Sequence, residues 1–346
     1  MSDSSHRPTD GPPGQQRLTQ DDLLPPVEPP NAAFLVQLFL VPGLIVAIIV
    51  CVWLAFHWLA HLGNDPQAYV RTLRRDNEGR WQAALNLAND LRGPGGAALK
   101  SDESLAAELG RILTDEAASG RTGEQSQTLR LYLCRALGEF AIPGAAEPLV
   151  ARARATSDPQ TARAAVEALS VLATNLVAAG RGFADVAAVN DAVRAASRSD
   201  DAPLRSAAAF TLGVLGGADA TERLVELGGD QVDDVRFNAA LGLARLGREE
   251  AIEPLAEMLA LSDTPPAAAT VGDDAAQSKR YKRALVVVNA LRGIALLVDA
   301  THAAPPAGVL ARIKQLEQDP VSDVRSSAVA VAKKIERLSS GSPPAG

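Results

Sequence analysis

Seven arginines, Arg80, Arg130, Arg163, Arg205, Arg236, Arg283 and Arg325, each open a run of the form R-x-x-A-x-x-x-L or a close variant. The best copies are DQVDDVRFNAALGLARLG from Asp230, DPVSDVRSSAVAVAKKI from Asp319, DDAPLRSAAAFTLGVLG from Asp200, DPQTARAAVEALSVLA from Asp158 and DNEGRWQAALNLA from Asp76. Successive arginines lie 50, 33, 42, 31, 47 and 42 residues apart. A repeat of about 40 residues with elastic loops constrains the fold more than any other feature of the chain. Units of that length are helix pairs that bury their apolar stripes against their neighbours and so stack into a solenoid.

Composition fits that reading. Aromatic residues make up only 4% of the chain, while Ala and Leu are plentiful, and small side chains let helices pack closely. No strand-like alternation of any length appears, so the fold class is all-α. The pattern predicts seven helix pairs: 66–75 with 78–91, 101–118 with 124–140, 145–155 with 159–178, 183–197 with 202–215, 220–227 with 232–246, 250–261 with 277–298, and 307–317 with 321–338. Asp158-Pro159 and Asp319-Pro320 place a capping carboxylate before a proline, which is tolerated at a first helical position. Glycines at 93, 95, 96, 216 and 217 mark helix ends.

Upstream of the repeats the character changes. Residues 1–33 are rich in proline, acidic and poor in apolar side chains, and are expected to be a disordered tail; the same is expected of 339–346. Between Pro29 and Asn64 there is no Asp, Glu, Lys or Arg. Residues 34–62 are apolar almost throughout, and 35–56 alone span about 33 Å as a helix, enough for the hydrocarbon core of a bilayer. No basic segment or small-residue cleavage motif accompanies it, so a transmembrane helix is expected rather than a cleaved signal. Phe34, Trp53 and Trp58 suit the two interfaces, and His57 and His61 read as interfacial residues near the helix end. Near the span, Arg17 stands alone on the tail side, against Arg71, Arg74, Arg75 and Arg80 on the other. That bias places the repeats in the cytoplasm. The domains expected are therefore a tail (1–33), a membrane helix (34–62), a solenoid (66–338) and a short C-terminus (339–346).

The repeats resemble HEAT repeats over about residues 66–338. Pro148 and Pro254 sit in first helices, as in that family, and Asp230 with Arg236 and Asp319 with Arg325 show its D-x-x-x-x-V-R spacing. Asp158 with Arg163 and Asp200 with Arg205 are one residue shorter. No Asp precedes Arg130 at that distance, and a basic run precedes Arg283. The resemblance implies a ladder in which each Asp receives helix N-terminal amides and each Arg reaches a neighbouring Asp or carbonyl. The ladder residues expected are thus Asp158, Arg163, Asp200, Arg205, Asp230, Arg236, Asp319 and Arg325, in a structural role.

Residues able to carry chemistry are scarce. Outside the tail and the apolar segment the sole histidine is His302, leaving no His-based nucleophilic centre. Cys51 and Cys134 form neither a disulfide framework nor a zinc cluster, and the glycines at 93–96 lack the Lys-Ser/Thr of a phosphate loop. Some HEAT-like enzymes, the di-iron hydroxylases of deoxyhypusine, carry repeated His-Glu pairs; this sequence has none. A net charge of −7 speaks against nucleic acid as a partner. No cofactor or metal is expected. The reading is a membrane-anchored scaffold, not an enzyme, that binds protein partners through its solenoid and contacts lipid through 34–62. Alternatives are an obligate subunit of a membrane complex and, less in keeping with the residues, a HEAT-like lyase. Lys279, Arg280, Lys282 and Arg283, which follow a long insertion at 262–278, are the candidate partner-binding residues.

Overall fold

The computed structural model describes residues 32–61, 66–75, 77, 79–155, 157–261 and 274–340. The expected tail up to residue 31, residues 262–273 of the insertion, the C-terminus from 341 and the side chains at 32–35, 37 and 57–61, with Phe34, His57, Trp58 and His61, lie outside the described residues. The chain divides into two units, Met1–Gly63 and Asn64–Gly346.

Among the described residues the first unit holds a single helix, α1 (Ala32–His61), which continues through Pro42. Val36, Phe39, Leu44, Ile49, Trp53 and Phe56 are each more than half exposed on it. From Leu38 to Phe56 its side chains are exposed, and its sequence holds no Asp, Glu, Lys or Arg.

The second unit is a succession of helix pairs: α2 (Pro66–Arg74) and α3 (Arg80–Arg92), α4 (Glu103–Ala118) and α5 (Glu124–Gly138), α6 (Ala146–Ala153) and α7 (Pro159–Ala178), α8 (Val186–Ala196) and α9 (Ala202–Leu215). Then follow α10 (Ala218–Leu227) and α11 (Asp233–Arg245), α12 (Ile252–Ala260) and α13 (Asp274–Thr301), and α14 (Ala307–Leu316) and α15 (Ser322–Ser340). All seven expected pairs are present, and no strand occurs among the described residues. Asp102, Asp158, Asp185 and Asp201 start their helices by accepting a backbone amide three residues on. At Asp319 the structure departs from the sequence reading. Its carboxylate accepts the amide of Val321 at 2.9 Å, and α15 begins only at Ser322, so Asp319 is not a helix cap.

Second helices form the tighter row: α3 packs on α5, α5 on α7, α7 on α9, α9 on α11, α11 on α13 and α13 on α15. Small residues at the crossings permit this. A Cβ on Gly213 would lie 2.3 Å from the Cα of Gly242, and one on Gly138 would lie 2.9 Å from the carbonyl oxygen of Ala168. The core is one continuous cluster from Val70 to Ile335, built chiefly of Leu and Ala. α13 is long and apolar enough to cross a bilayer by length and composition. Its Val287, Ala290, Leu291, Ile294 and Val298 are nevertheless buried in this core, where α11, α12 and α15 pack on it.

Candidate interaction surface

At two junctions the ladder couples a unit to the next through both functional groups of one turn residue. Arg205 donates through Nε and Nη2 to Asp230 at 2.9 and 3.1 Å, while Arg236, in Asp230's own unit, donates through Nη1 to its carbonyl at 3.0 Å. Arg283 repeats the first contact on Asp319 at 2.5 and 3.4 Å, and Arg325 the second on the Asp319 carbonyl at 2.6 Å. The aspartate carboxylate therefore binds the arginine of the preceding unit. The arginine six residues on takes the carbonyl. Arg205 also donates to the carbonyls of Ser199 and Asp200 at 2.9 and 3.1 Å. The Arg205 guanidinium holds the Asp230 carboxyl below its usual range. At Asp319 burial acts to raise the pKa, but the hydrogen bonds from Arg283 and the Val321 amide hold it low.

Arg130, for which the sequence offered no acid in its own turn, is nonetheless among the most buried charges, pairing with Asp158 of the next unit at 3.1 Å. Asp158 also receives the Thr161 hydroxyl and amide. One acid went unnoticed in the sequence. Glu116, 2% exposed, accepts from Arg80 and Arg121 at 2.9 Å each and from Ser126 at 2.5 Å. The signal for it was its register, because Glu116 shares a helix face with Leu105, Leu109, Ile112 and Leu113, and an acid buried on such a face has to be paired.

Two expected ladder residues take other places. Arg163 turns out to Glu167 at 3.5 Å, with both side chains close to half exposed. Asp200 supplies only its carbonyl, since the next residue, Asp201, caps α9 through the Leu204 amide at 2.8 Å. Arg163 thus stands in an open groove of about 590 Å³ with Glu167, Ser206, Phe210, Asp234 and Asn238. Phe210 is 40% exposed there, and the Arg245 guanidinium lies 5.5 Å from its ring centre.

The basic run is divided by the fold. Arg283, expected to meet a partner, is a ladder residue: its side chain is 9% exposed and that of its partner Asp319 only 4%. Once paired so deeply it cannot serve as a docking cation. Lys279 and Lys282 are exposed and Arg280 partly so. Among the described residues no group of three or more His, Cys, Asp or Glu could hold a metal ion. Cys134 is fully buried in the stack, and that burial pushes its thiol up to about 12. His302 lies in the loop before α14, with a positive φ of 52°.

Residues 189–271, from α8 onward, match the family described as HEAT repeats. No curated protein matches the chain. Among solved structures, two engineered proteins resemble it at 18% identity each. One covers 81% of this chain and 98% of its own at a TM-score of 0.30; the other covers 80% and 82% at 0.33. Human deoxyhypusine hydroxylase resembles it at 22% identity, covering 79% of this chain and 96% of its own, at a TM-score of 0.28.

Proposed function

We propose that this protein is a single-pass membrane protein whose stack of HEAT-type helix pairs is a cytoplasmic scaffold for protein partners. One observation carries the reading: a charge-free apolar helix of 30 residues, α1, shares the chain with a stack that already buries its own apolar stripes. In water α1 would leave its leucines, isoleucines and valines solvated, whereas a bilayer satisfies them and its backbone is bonded within the helix. The stack needs no lipid. Most of its buried charges are spent on joining units, and what it offers outward is a row of helix faces with open grooves, suited to binding more than to enclosing a substrate. We assign it no catalytic role and no cofactor.

The test has three arms. After alkaline carbonate washing, the full chain should stay with membranes, and a chain lacking 32–61 should be released. Protease added outside intact cells should spare the stack. Affinity capture of the full chain from native membranes should then return a protein partner retained at constant stoichiometry. Release of the full chain by carbonate would refute the anchor, and capture of nothing beyond the chain itself would refute the scaffold.

A further inference from the structure

The face that α13 turns away from the core differs from its neighbours. α13 is the longest helix of the stack, and its buried residues begin only at Ala284, ten residues in. Tyr281, Leu285 and Leu296 are 70%, 48% and 36% exposed. At 3.6 residues per turn these three fall within about 60° of one another around the helix, together with exposed Arg292. They lie along a line about 22 Å long, at 1.5 Å per residue, with Arg292 between Leu285 and Leu296. Lys282 lies about 40° beyond Leu296 around the helix and Lys279, one turn before Lys282, about 100° beyond it, both exposed. The core residues Val287, Leu291, Ile294 and Val298 occupy the opposite side.

Charge on this part of the stack runs against that of the protein. The chain carries −7, yet α13 holds Lys279, Arg280, Lys282, Arg283 and Arg292 against Asp274 and Asp299. The adjoining α15 holds Arg325, Lys333, Lys334 and Arg337 against Asp323 and Glu336. Arg283 is consumed by Asp319, and Asp299 by Lys334. Lys279, Lys282 and Arg292 form no ion pair among the described residues. A row of apolar side chains with unneutralised cations in and beside it suits a helix with aliphatic residues at matching intervals and carboxylates among them.

We propose that the exposed face of α13 made by Tyr281, Leu285, Arg292 and Leu296, with Lys282 along its edge, docks an acidic amphipathic helix of a partner protein. This rests on the scaffold reading and specifies its partner. A polyanion such as nucleic acid would use the cations but gain little from Leu285 and Leu296, so the apolar line is what selects a protein.

The test uses the full chain in nanodiscs of neutral lipid. The probe is a fluorescent synthetic peptide, about five helical turns long, with leucines at the spacing of Tyr281, Leu285 and Leu296 and glutamates beside them. Fluorescence anisotropy should report saturable binding that weakens as salt rises. Leu285→Asp should weaken it at least about tenfold, as should Lys282→Glu with Arg292→Glu; all three positions are exposed, so the fold tolerates the changes. The charge-reversed protein should instead bind a peptide with lysines in place of the glutamates.

No binding of the glutamate peptide, equal binding of a sequence-scrambled peptide, or indifference to Leu285→Asp would overturn the proposal. So would saturation by a single-stranded oligonucleotide or by phosphatidylserine vesicles that Leu285→Asp leaves unchanged. Should the partner captured from native membranes bind the Leu285→Asp and charge-reversed variants as it binds wild type, this surface is wrong while the scaffold stands. Absence of any captured partner bears on the scaffold itself.

Discussion

Arg163 and Arg205 open similar sequence runs, yet the fold uses them in opposite ways, and that contrast makes a quantitative test. Arg205 is 18% exposed, forks onto Asp230 at 2.9 and 3.1 Å and donates to two carbonyls of its own turn. Replacing it with Ala removes four bonds and leaves Asp230, 12% exposed, without its guanidinium. Charge-assisted hydrogen bonds contribute about 1.5–3 kcal/mol, and an acid stranded in a buried pair costs about 3–5. Residual solvent access at Asp230 lowers the second figure, so the expected loss for Arg205→Ala is roughly 2–4 kcal/mol. Arg205→Lys keeps the charge but not the fork and should cost about half as much, roughly 1–2 kcal/mol. Arg163→Ala breaks only a solvated contact and should lie within about 0.5 kcal/mol of wild type. Urea unfolding of the full chain in micelles, followed by far-UV circular dichroism, measures all three. Hydrogen exchange should localise the Arg205→Ala loss to α9, α10 and α11, because coupling in a stack is between neighbours. Equal destabilisation by Arg163→Ala and Arg205→Ala would refute the argument, as would a loss spread evenly from α2 to α15.

Other outcomes follow from the same geometry. Gly213→Ala puts a Cβ against the Cα of Gly242 and should cost about 1–3 kcal/mol, whereas Gly144→Ala, with nothing within 4 Å, should be close to neutral in the same urea assay. The carboxyls of Asp230 and Asp319 are held low in the folded state, so their contribution is complete above the unfolded value of about 3.9 and is lost as pH falls below it. The urea midpoint should therefore drop in acid, and Asp230→Asn should be less stable at neutral pH with a shallower acid limb. In a Cys51→Ser background, Cys134 should resist a maleimide at pH 8 until urea opens the stack, since burial pushes its thiol up to about 12. Rapid labelling of the folded protein would show that the core around α5 is not closed.

Much of this architecture was legible before any coordinates. Helix periodicity and turn residues are local, and each pair buries its stripe against the next, so the order and number of pairs followed from the pattern around the seven arginines. The absence of charge in α1 was equally local. Ladder membership was not. Glu116 entered it from the middle of a helix, Arg130 found its acid a unit away, and Arg163 left it although its sequence resembles that of Arg205. The same holds for Arg283, which reads as one more cation in a basic run and is buried against Asp319. Glycines 213 and 242 carry no sequence signal that they meet, since their contact depends on how α9 crosses α11. Sequence by itself determined which segments are helices, which of their faces are apolar and how many pairs there are, because those depend on residues within a turn or two of one another. Only the tertiary structure decided which charge meets which, and hence which cations stay available to a partner. A guanidinium reaches across a unit boundary, and a one-residue shift in a turn, such as the Asp200-Asp201 step, moves the acid it would have found.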